Sequence, residues 1–379
     1  MPKPTLRCSF ISTLAACWSV ASAGVVPPLY APVEDPEFRD IETRFWSSTT
    51  RQEATAAFHA GVALANERAG ARHPSAGRIR LFLGQRLFSQ GQFDHAYRQF
   101  SAEVAEFASL ETKVELARMK ATVELFHRAE PHVAVETLVQ AVEEYRALQP
   151  LTRESCQFIQ PHLVLLLTAH EQCGQFVHAA NVALRAYLWL SPHTDATFRG
   201  WLLAKAAYYN ELAGEFQTAL DIVRRTFRDE PEWIGVSDHR ARMRIAEYRL
   251  RAHLEVNFDR IGFLLAAATE LQGTVPASRF MHMAGDVALG VLGEASALEF
   301  YREAVRMAER VPGCQEVNNI AAVDLAERCV GLAGGYLATD NVQLAEEAIL
   351  RASRLTTASH VVEQVQTLRR VLQDRQLNR

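Results

Sequence analysis

Apolar residues recur every three or four positions along most of this chain. The pattern starts near residue 50, where Ala54, Phe58, Val62 and Ala65 share one face, and it continues almost unbroken to residue 372. This period is typical of amphipathic α-helices that bury one face. No alternation of apolar and polar residues is long enough to indicate a β-strand. The pattern therefore predicts an all-α protein.

A short phrase is repeated between these helical segments. The triplets Gly91–Phe93, Gly174–Phe176 and Gly214–Phe216 read Gly-Gln-Phe or Gly-Glu-Phe. An alanine is found three positions after each phenylalanine. We expect the three glycines to take the left-handed conformation that ends a helix. The alanine lets the next helix approach closely. Repetition at intervals of tens of residues indicates stacked helix pairs, and so an α-solenoid.

Two units show the repeat most completely, and their residues match a known signature spacing. They are Leu83, Gly84, Leu87, Gly91, Phe93, Ala96 and Phe100 in one unit, and Leu203, Ala207, Gly214, Phe216, Ala219 and Val223 in the other. In these residues the chain resembles the tetratricopeptide repeat family over roughly residues 50–355. The resemblance implies a right-handed solenoid of about seven antiparallel helix pairs.

The repeat departs from that family in two respects. Its period is 36 to 48 residues here, whereas the family repeats every 34 or so. The units around Ala134 and Ile261 lack the turn glycine. We therefore expect longer helices or loops, and a locally irregular superhelix.

The pattern divides the chain into four segments. Residues 1–23 read as a signal peptide, and residues 24–49 as a proline-rich linker that should be extended. The helical-repeat solenoid covers residues 50–358. Residues 359–379 form a C-terminal capping helix with Val361, Val365, Leu368 and Leu372 on one stripe.

The first residues indicate export. Lys3 and Arg7 precede an apolar stretch, and the small residues at 21–23 offer a cleavage site before Gly24. The predicted location is therefore periplasmic or extracellular. Residues 14–17 also resemble the lipobox of bacterial lipoproteins, in which Cys17 would be lipidated and would anchor the protein to a membrane. An uncleaved leader on a cytoplasmic protein is the alternative.

Composition and motifs narrow the functional classes. The formal net charge of −4 gives no electrostatic reason to expect a nucleic acid partner. Beyond the N-terminus no apolar run reaches the roughly 18 residues of a membrane span. Metal-binding, phosphate-binding and nucleophile motifs are all missing despite 13 histidines. We therefore expect no metal, no cofactor and no enzymatic activity; an enzyme whose site forms only in three dimensions is the alternative.

In tetratricopeptide solenoids the first helix of each pair lines a concave surface. Carrying this geometry over suggests a partner-binding groove lined by Phe88, Met119, Phe126, Trp201 and Tyr208. Trp201 and Tyr208 are seven residues apart, hence nearly aligned on one helix. The alternative is that these side chains fill the core between helices.

Two arginines add charge to the predicted groove. Arg240 and Arg244 share a helix face and could clamp an acidic peptide or a terminal carboxylate. Alternatively they form a solvated flank balanced by Glu247 and Glu255.

The sequence thus predicts a non-enzymatic scaffold or adaptor that holds a partner peptide or protein in a solenoid groove. A lipid-anchored lipoprotein that helps to assemble an envelope is the second hypothesis.

Overall fold

The computed structural model describes residues 35–48, 50–102 and 108–377. Within these ranges the chain forms eighteen helices and no strand, which confirms the all-α prediction. The chain divides into two compact units, one ending at Gln149 and the other starting at Pro150. The sequence suggested one continuous solenoid, so this division is a feature that the periodicity did not reveal.

The first unit contains six helices in its described part. They are α1 (Pro36–Ser47), α2 (Arg51–Gly70), α3 (Ser75–Ser89), α4 (Phe93–Phe100), α5 (Leu110–Phe126) and α6 (Pro131–Leu148). Short turns join α3 to α4 and α5 to α6, and both pairs pack closely.

The second unit contains the other twelve helices. They are α7 (Arg153–Gln172), α8 (Phe176–Leu190), α9 (Ala196–Leu212), α10 (Phe216–Asp229), α11 (Pro231–Ile234), α12 (Ser237–Leu254), α13 (Arg260–Glu270), α14 (Val275–Val291), α15 (Glu294–Glu309), α16 (Ile320–Ala338), α17 (Val342–Leu355) and α18 (Ser359–Leu377). The first helices of its pairs are α7, α9, α12, α14 and α16, and the second helices are α8, α10, α13, α15 and α17.

The three predicted turn glycines lie at the reversals α3–α4, α7–α8 and α9–α10. Their φ angles are 75° at Gly91, 69° at Gly174 and 83° at Gly214. At the first turn the Gly91 amide donates to the Phe88 carbonyl at 3.0 Å, and the Gln92 amide donates to the Leu87 carbonyl at 2.9 Å. The same pair of bonds recurs at the other two turns. This is the Schellman arrangement, which satisfies the last carbonyls of one helix as the next helix begins.

Other residue types take the left-handed conformation elsewhere. Ala129 has a φ of 55° at the α5–α6 turn, one of the two units that lack a turn glycine. Asp340, with a φ of 59°, forms the α16–α17 turn with the same two amide bonds as the glycine turns. Asp340 thus retains the geometry of the glycine turns, whereas at Ala129 only the left-handed conformation recurs, because the Glu130 amide there donates to the Glu124 carbonyl at 2.8 Å.

Glycine also permits close packing inside the helix pairs. A Cβ atom on Gly84 would lie 2.2 Å from the ring of Phe100, and one on Gly285 would lie 2.6 Å from the ring of Tyr301. In both pairs the glycine is on the first helix and the aromatic residue is sixteen positions later on the second. In each pair the glycine leaves room for the facing aromatic ring, so the two helices can pack closely at this position.

The N-terminal boundary differs from the sequence-based expectation. Residues 36–47, predicted as part of an extended linker, form helix α1. Asp35 caps it by accepting amide hydrogens from Glu37 and Phe38, and Pro36 occupies the first turn, where proline is tolerated. Phe38, Ile41 and Phe45 are buried on one face of α1 against other residues of the first unit. Proline content indicated a linker, but here the proline starts a helix.

The C-terminal helix has the predicted apolar stripe. Val361, Val365 and Leu372 of α18 are buried and Leu368 packs against the same cluster, which also contains residues of α16 and α17. The opposite face of α18 is mostly polar and exposed. This arrangement fits a helix that closes the apolar end of the second unit.

A pair of substitutions tests the role of the left-handed turn position. A Cβ atom on Gly91 would meet no other atom within 4 Å, so Gly91→Ala changes only the backbone energy and should lower the free energy of unfolding by about 1 kcal/mol. The reverse change, Ala129→Gly, should raise it by up to about 1 kcal/mol. Urea denaturation of the full chain measures both. Equal effects of the same sign would contradict a left-handed backbone conformation at both positions.

Candidate functional site

The side chains of α9 form the best-defined exposed feature on the first helices of the second unit. Tyr208 is 38% exposed, an unusual position for an aromatic side chain in the middle of a packed helical array. Trp201, two turns earlier, is half-buried and its ring stacks on Phe198 with centroids 5.3 Å apart. Trp201 and Tyr208, which the sequence places on one helix face, therefore differ in solvent exposure, and Tyr208 is the more exposed.

A buried tyrosine fixes the neighbouring first helix to α9. The hydroxyl of Tyr209 donates to Glu171 of α7 at 2.9 Å. Lys205 has its ammonium group 3.9 Å from the same carboxylate and 5.3 Å from the ring centroid of Tyr208. Burial, together with Glu171 and Glu211, raises the pKa of Tyr208, so its phenol stays protonated. Tyr208 can therefore donate a hydrogen bond over the whole physiological pH range.

An ion pair borders Tyr208 on the side of α12. Arg249 donates from Nε and Nη2 to the two oxygens of Glu211 at 2.8 and 2.9 Å. This bidentate contact between α12 and α9 fixes both charged groups in one plane. We call the surface formed by Glu171, Trp201, Lys205, Tyr208 and the Arg249–Glu211 pair the first-helix face.

Arg249 and Lys205 were not among the site residues predicted from the sequence. The sequence does carry a signal for Arg249. Ala241, Met243, Glu247 and Leu250 define the buried face of α12. Arg249 lies outside that face, on the side turned to α9.

The two predicted arginines point to other partners. The guanidinium of Arg244 lies 4.2 Å from the ring centroid of Phe227 on α10, and its Nε donates to Glu270 of α13 at 2.9 Å. Arg240 donates to the carbonyl of Ile234 at 3.1 Å and lies 3.7 Å from the same Glu270. Both side chains therefore join α12 to second helices, whereas Tyr208 lies beside first helices.

Both arginines are already paired with carboxylates of this chain. Arg244 also contacts Glu247 at 2.8 Å, as the flank interpretation suggested, while Glu255 pairs with Arg251 instead. A clamp for an acidic peptide would need guanidinium groups that are free to bind a ligand. In this structure the two guanidinium groups hold protein carboxylates.

The remaining three predicted groove residues belong to the first unit. Met119 is only 8% exposed and packs with Leu116 and Val123 in a hydrophobic cluster. Phe88 contacts the ring of Phe93 edge-on at 5.2 Å, and Phe126 is half-buried. Met119 thus fits the core interpretation, and the predicted set is divided between the two units.

A second feature of the second unit lies between α14, α16 and α18. A depression of about 470 Å³ is lined by His282, Glu327, Arg328, Val330, Gly331 and Gln364. The ring of His282 rests on α16 where Gly331 has no side chain, since a Cβ there would lie 1.9 Å from the ring. Glu327 contacts both Arg328 and His360 at 2.8 Å. No sequence motif marked this site; an unexplained glycine inside α16 was its only signal.

The imidazole of His282 is held in its neutral form. Burial, reinforced by the nearby Arg328, lowers its pKa to about 4. Its Nδ1 atom is buried without a hydrogen-bond partner within the described part of the chain. The group is therefore an uncharged side chain at working pH, with one unsatisfied polar atom.

The described residues contain no group of three or more His, Cys, Asp or Glu side chains placed to hold a metal ion. None of the helices built from them has the length and apolarity of a membrane span. The predicted lipidation site, Cys17, and the predicted cleavage site lie outside the described residues.

Comparison with known proteins gives likenesses of fold only. No protein-family model matches the chain, and no curated protein matches it. BtubC (BKLC) from P. vanneervenii is 16% identical, with a TM-score of 0.43 over 58% of this chain and 89% of that one. A Rap protein, solved with Competence and Sporulation Factor, is 13% identical, with a TM-score of 0.33 over 86% and 92%.

A signal-transduction ATPase with a tetratricopeptide repeat sensor, from Pyrococcus horikoshii, is 12% identical, with a TM-score of 0.46 over 90% of this chain. The present chain spans 56% of that protein. The chain is tetratricopeptide-like in architecture. Its helix pairs, Schellman turns and small–large packing positions agree with the sequence resemblance.

The neutral state of His282 predicts an acid sensitivity. Its pKa is lowered from 6.5 to about 4 in the folded chain, so between these pH values the unfolded state binds more protons and folding stability falls with falling pH. The loss attributable to this group should reach at most about 3 kcal/mol. Urea unfolding of His282→Gln should show a smaller drop between pH 6.5 and 4 than the parent chain. Identical pH slopes would contradict the assignment.

Proposed function

We propose that this protein is a non-enzymatic scaffold that holds a peptide segment of a partner protein on the first-helix face. The observation that supports this proposal is Tyr208, which is exposed at the centre of a surface whose surrounding groups are fixed. Hot-spot residues of protein interfaces are often aromatic or arginine side chains with a polar surround that excludes water. Tyr208, Arg249 and their neighbours have this composition.

The rigidity of the surface supports the same proposal. Tyr209 is fully buried and tied to Glu171, and Arg249 is tied to Glu211. A partner would therefore meet side chains that are already ordered, which reduces the entropy lost on binding. The phenol of Tyr208 offers a hydrogen-bond donor, and its ring offers apolar area.

Binding also fits the chemistry of the face better than catalysis does. Its acids and bases are paired with each other, and the one strongly perturbed histidine, His282, lies on other helices. Catalytic sites usually present a nucleophile or base within reach of an open position for substrate. The described first-helix face presents an aromatic anchor and paired charges.

The test uses a random peptide library displayed on phage and selected on the full chain. Tyr208→Ala should weaken binding of the selected peptides at least tenfold, because the anchor contributes roughly 1.5 kcal/mol or more. Trp201→Ala should add a smaller loss, since that ring is already stacked on Phe198. Isothermal titration measures both.

Leu188→Ala provides a matched control, because Leu188 is 64% exposed on a second helix of the same unit. It should bind the peptides as the parent chain does. If Tyr208→Ala retains full affinity, or instead loses most of its helicity, the aromatic residues belong to the core and the proposed binding face is rejected.

We also propose that the protein is exported. The basic residues Lys3 and Arg7, the apolar stretch after them and the small residues before Gly24 support this proposal. Mass spectrometry of the mature protein from its native cell should show a chain that starts at Gly24. A diacylated N-terminal Cys17 would support the membrane-anchored alternative instead, and an intact leader would argue for a cytoplasmic protein.

A further inference from the structure

Exposed aliphatic side chains gather at the ends of three successive first helices in the second unit. They lie in the last turn of α9, α12 or α14, or directly after it, next to the turns into α10, α13 and α15. The group consists of Leu212 (43% exposed), Leu254 (37%), Val256 (100%), Leu289 (43%), Val291 (73%) and Leu292 (56%). We call these six residues the turn edge.

The three turns are neighbours. At the first junction the ring of Phe216, which starts α10, lies 3.9 Å from the ring of His253 near the end of α12. At the second junction α14 packs against both α12 and α13, and Tyr248 of α12 shares a hydrophobic cluster with Val287 of α14. The exposed side chains therefore follow one edge of the unit.

The extent of this apolar surface is unusual. With these exposures the six side chains leave on the order of 500 Å² open to solvent, which is the size of the largest apolar patch on a typical monomer. Patches of this size mark interaction sites more often than scattered exposed residues do. The turn edge is aliphatic and shares no residue with the aromatic first-helix face.

The charges around the turn edge are predominantly acidic. Glu215 and Glu294 are exposed and make no ion pair within the described residues, and Asp259 caps α13 with no basic partner. Glu255 is already paired with Arg251. Against these three carboxylates stand two arginines: Arg260, whose guanidinium group donates to the carbonyl of Ala252, and Arg224, which acts on Glu255. A partner that covers the aliphatic residues would therefore gain from positive charge at its margins.

We propose that the turn edge binds a cationic amphipathic helix of a partner protein. Packed helices lie about 8–10 Å apart, so three first helices span about 20 Å. A helix of about 14 residues covers that distance. An apolar stripe would contact the aliphatic side chains, and lysines or arginines beside the stripe would approach Glu215, Asp259 and Glu294.

Two other occupants suit the chemistry less well. A second copy of this chain, related by a two-fold axis, would bring the same acidic margin against itself. An anionic membrane surface would be repelled by it. The proposal concerns a surface different from the first-helix face, so it stands or falls independently of the proposed peptide site.

The experiment uses a fluorescently labelled 14-residue peptide of leucine and lysine with helical amphipathic spacing. Its binding to the full chain is followed by fluorescence anisotropy. The double variant Val256→Ser with Val291→Ser should bind at least tenfold more weakly. The charge variant Glu215→Lys with Glu294→Lys should also lose affinity for this peptide, and should gain affinity for the matching leucine–glutamate peptide.

Two controls isolate the surface. Val317→Ser with Ile320→Ser removes other exposed aliphatic residues, just before and at the start of α16 (62% and 72% exposed), and should leave affinity unchanged. Tyr208→Ala should leave it unchanged as well, which separates this site from the first-helix face. Circular dichroism should show native helicity for every variant, since the substituted side chains are exposed.

Three results would overturn the proposal. The first is unchanged affinity of the Val256→Ser, Val291→Ser variant. The second is equal binding of a scrambled peptide with the same composition. The third is sedimentation that shows a dimer of the parent chain and a monomer of that variant, which would mean that a second copy covers the turn edge.

Discussion

The left-handed backbone conformation at the turn between paired helices is the constraint on which the rest of the structure depends. Gly91, Gly174 and Gly214 adopt it with nearly identical amide bonds, and Asp340 reproduces it without glycine. Because the turn is only three residues long, it determines where the first helix ends and where the second begins. The turn therefore also determines which side chains of the first helix face which side chains of the second.

Packing inside the helix pairs depends on which residues face each other. Gly84 meets Phe100 and Gly285 meets Tyr301, in each case sixteen residues apart. Where the first helix carries a larger residue at the equivalent position, the second carries a smaller one, as with Leu167 and Ala183, which are both buried. In these pairs a small residue on one helix is matched by a larger one on the other, which agrees with the dense packing of protein interiors.

The two proposed surfaces of the second unit are both by-products of this packing. First helices align their outer faces, so that Arg249 of α12 becomes a neighbour of Tyr208 and Glu211 of α9 although it comes from the next repeat. Turns align along one edge, so that exposed valines and leucines from three repeats form one patch. The first surface is aromatic with paired charges, whereas the second is aliphatic with unpaired carboxylates. They are therefore suited to partners of different chemistry.

The sequence by itself determined the helical class, the turn positions and the capping stripe of α18, because these depend on local periodicity and on backbone preferences of single residues. It could not indicate that Pro36 starts a helix, since burial of Phe38 and Ile41 against distant residues decides that. Nor could it separate Arg244, drawn to Glu270 and Phe227, from Arg249, drawn to Glu211. Periodicity tells which residues share a helix face, but only the packing of neighbouring helices decides which partner each face meets.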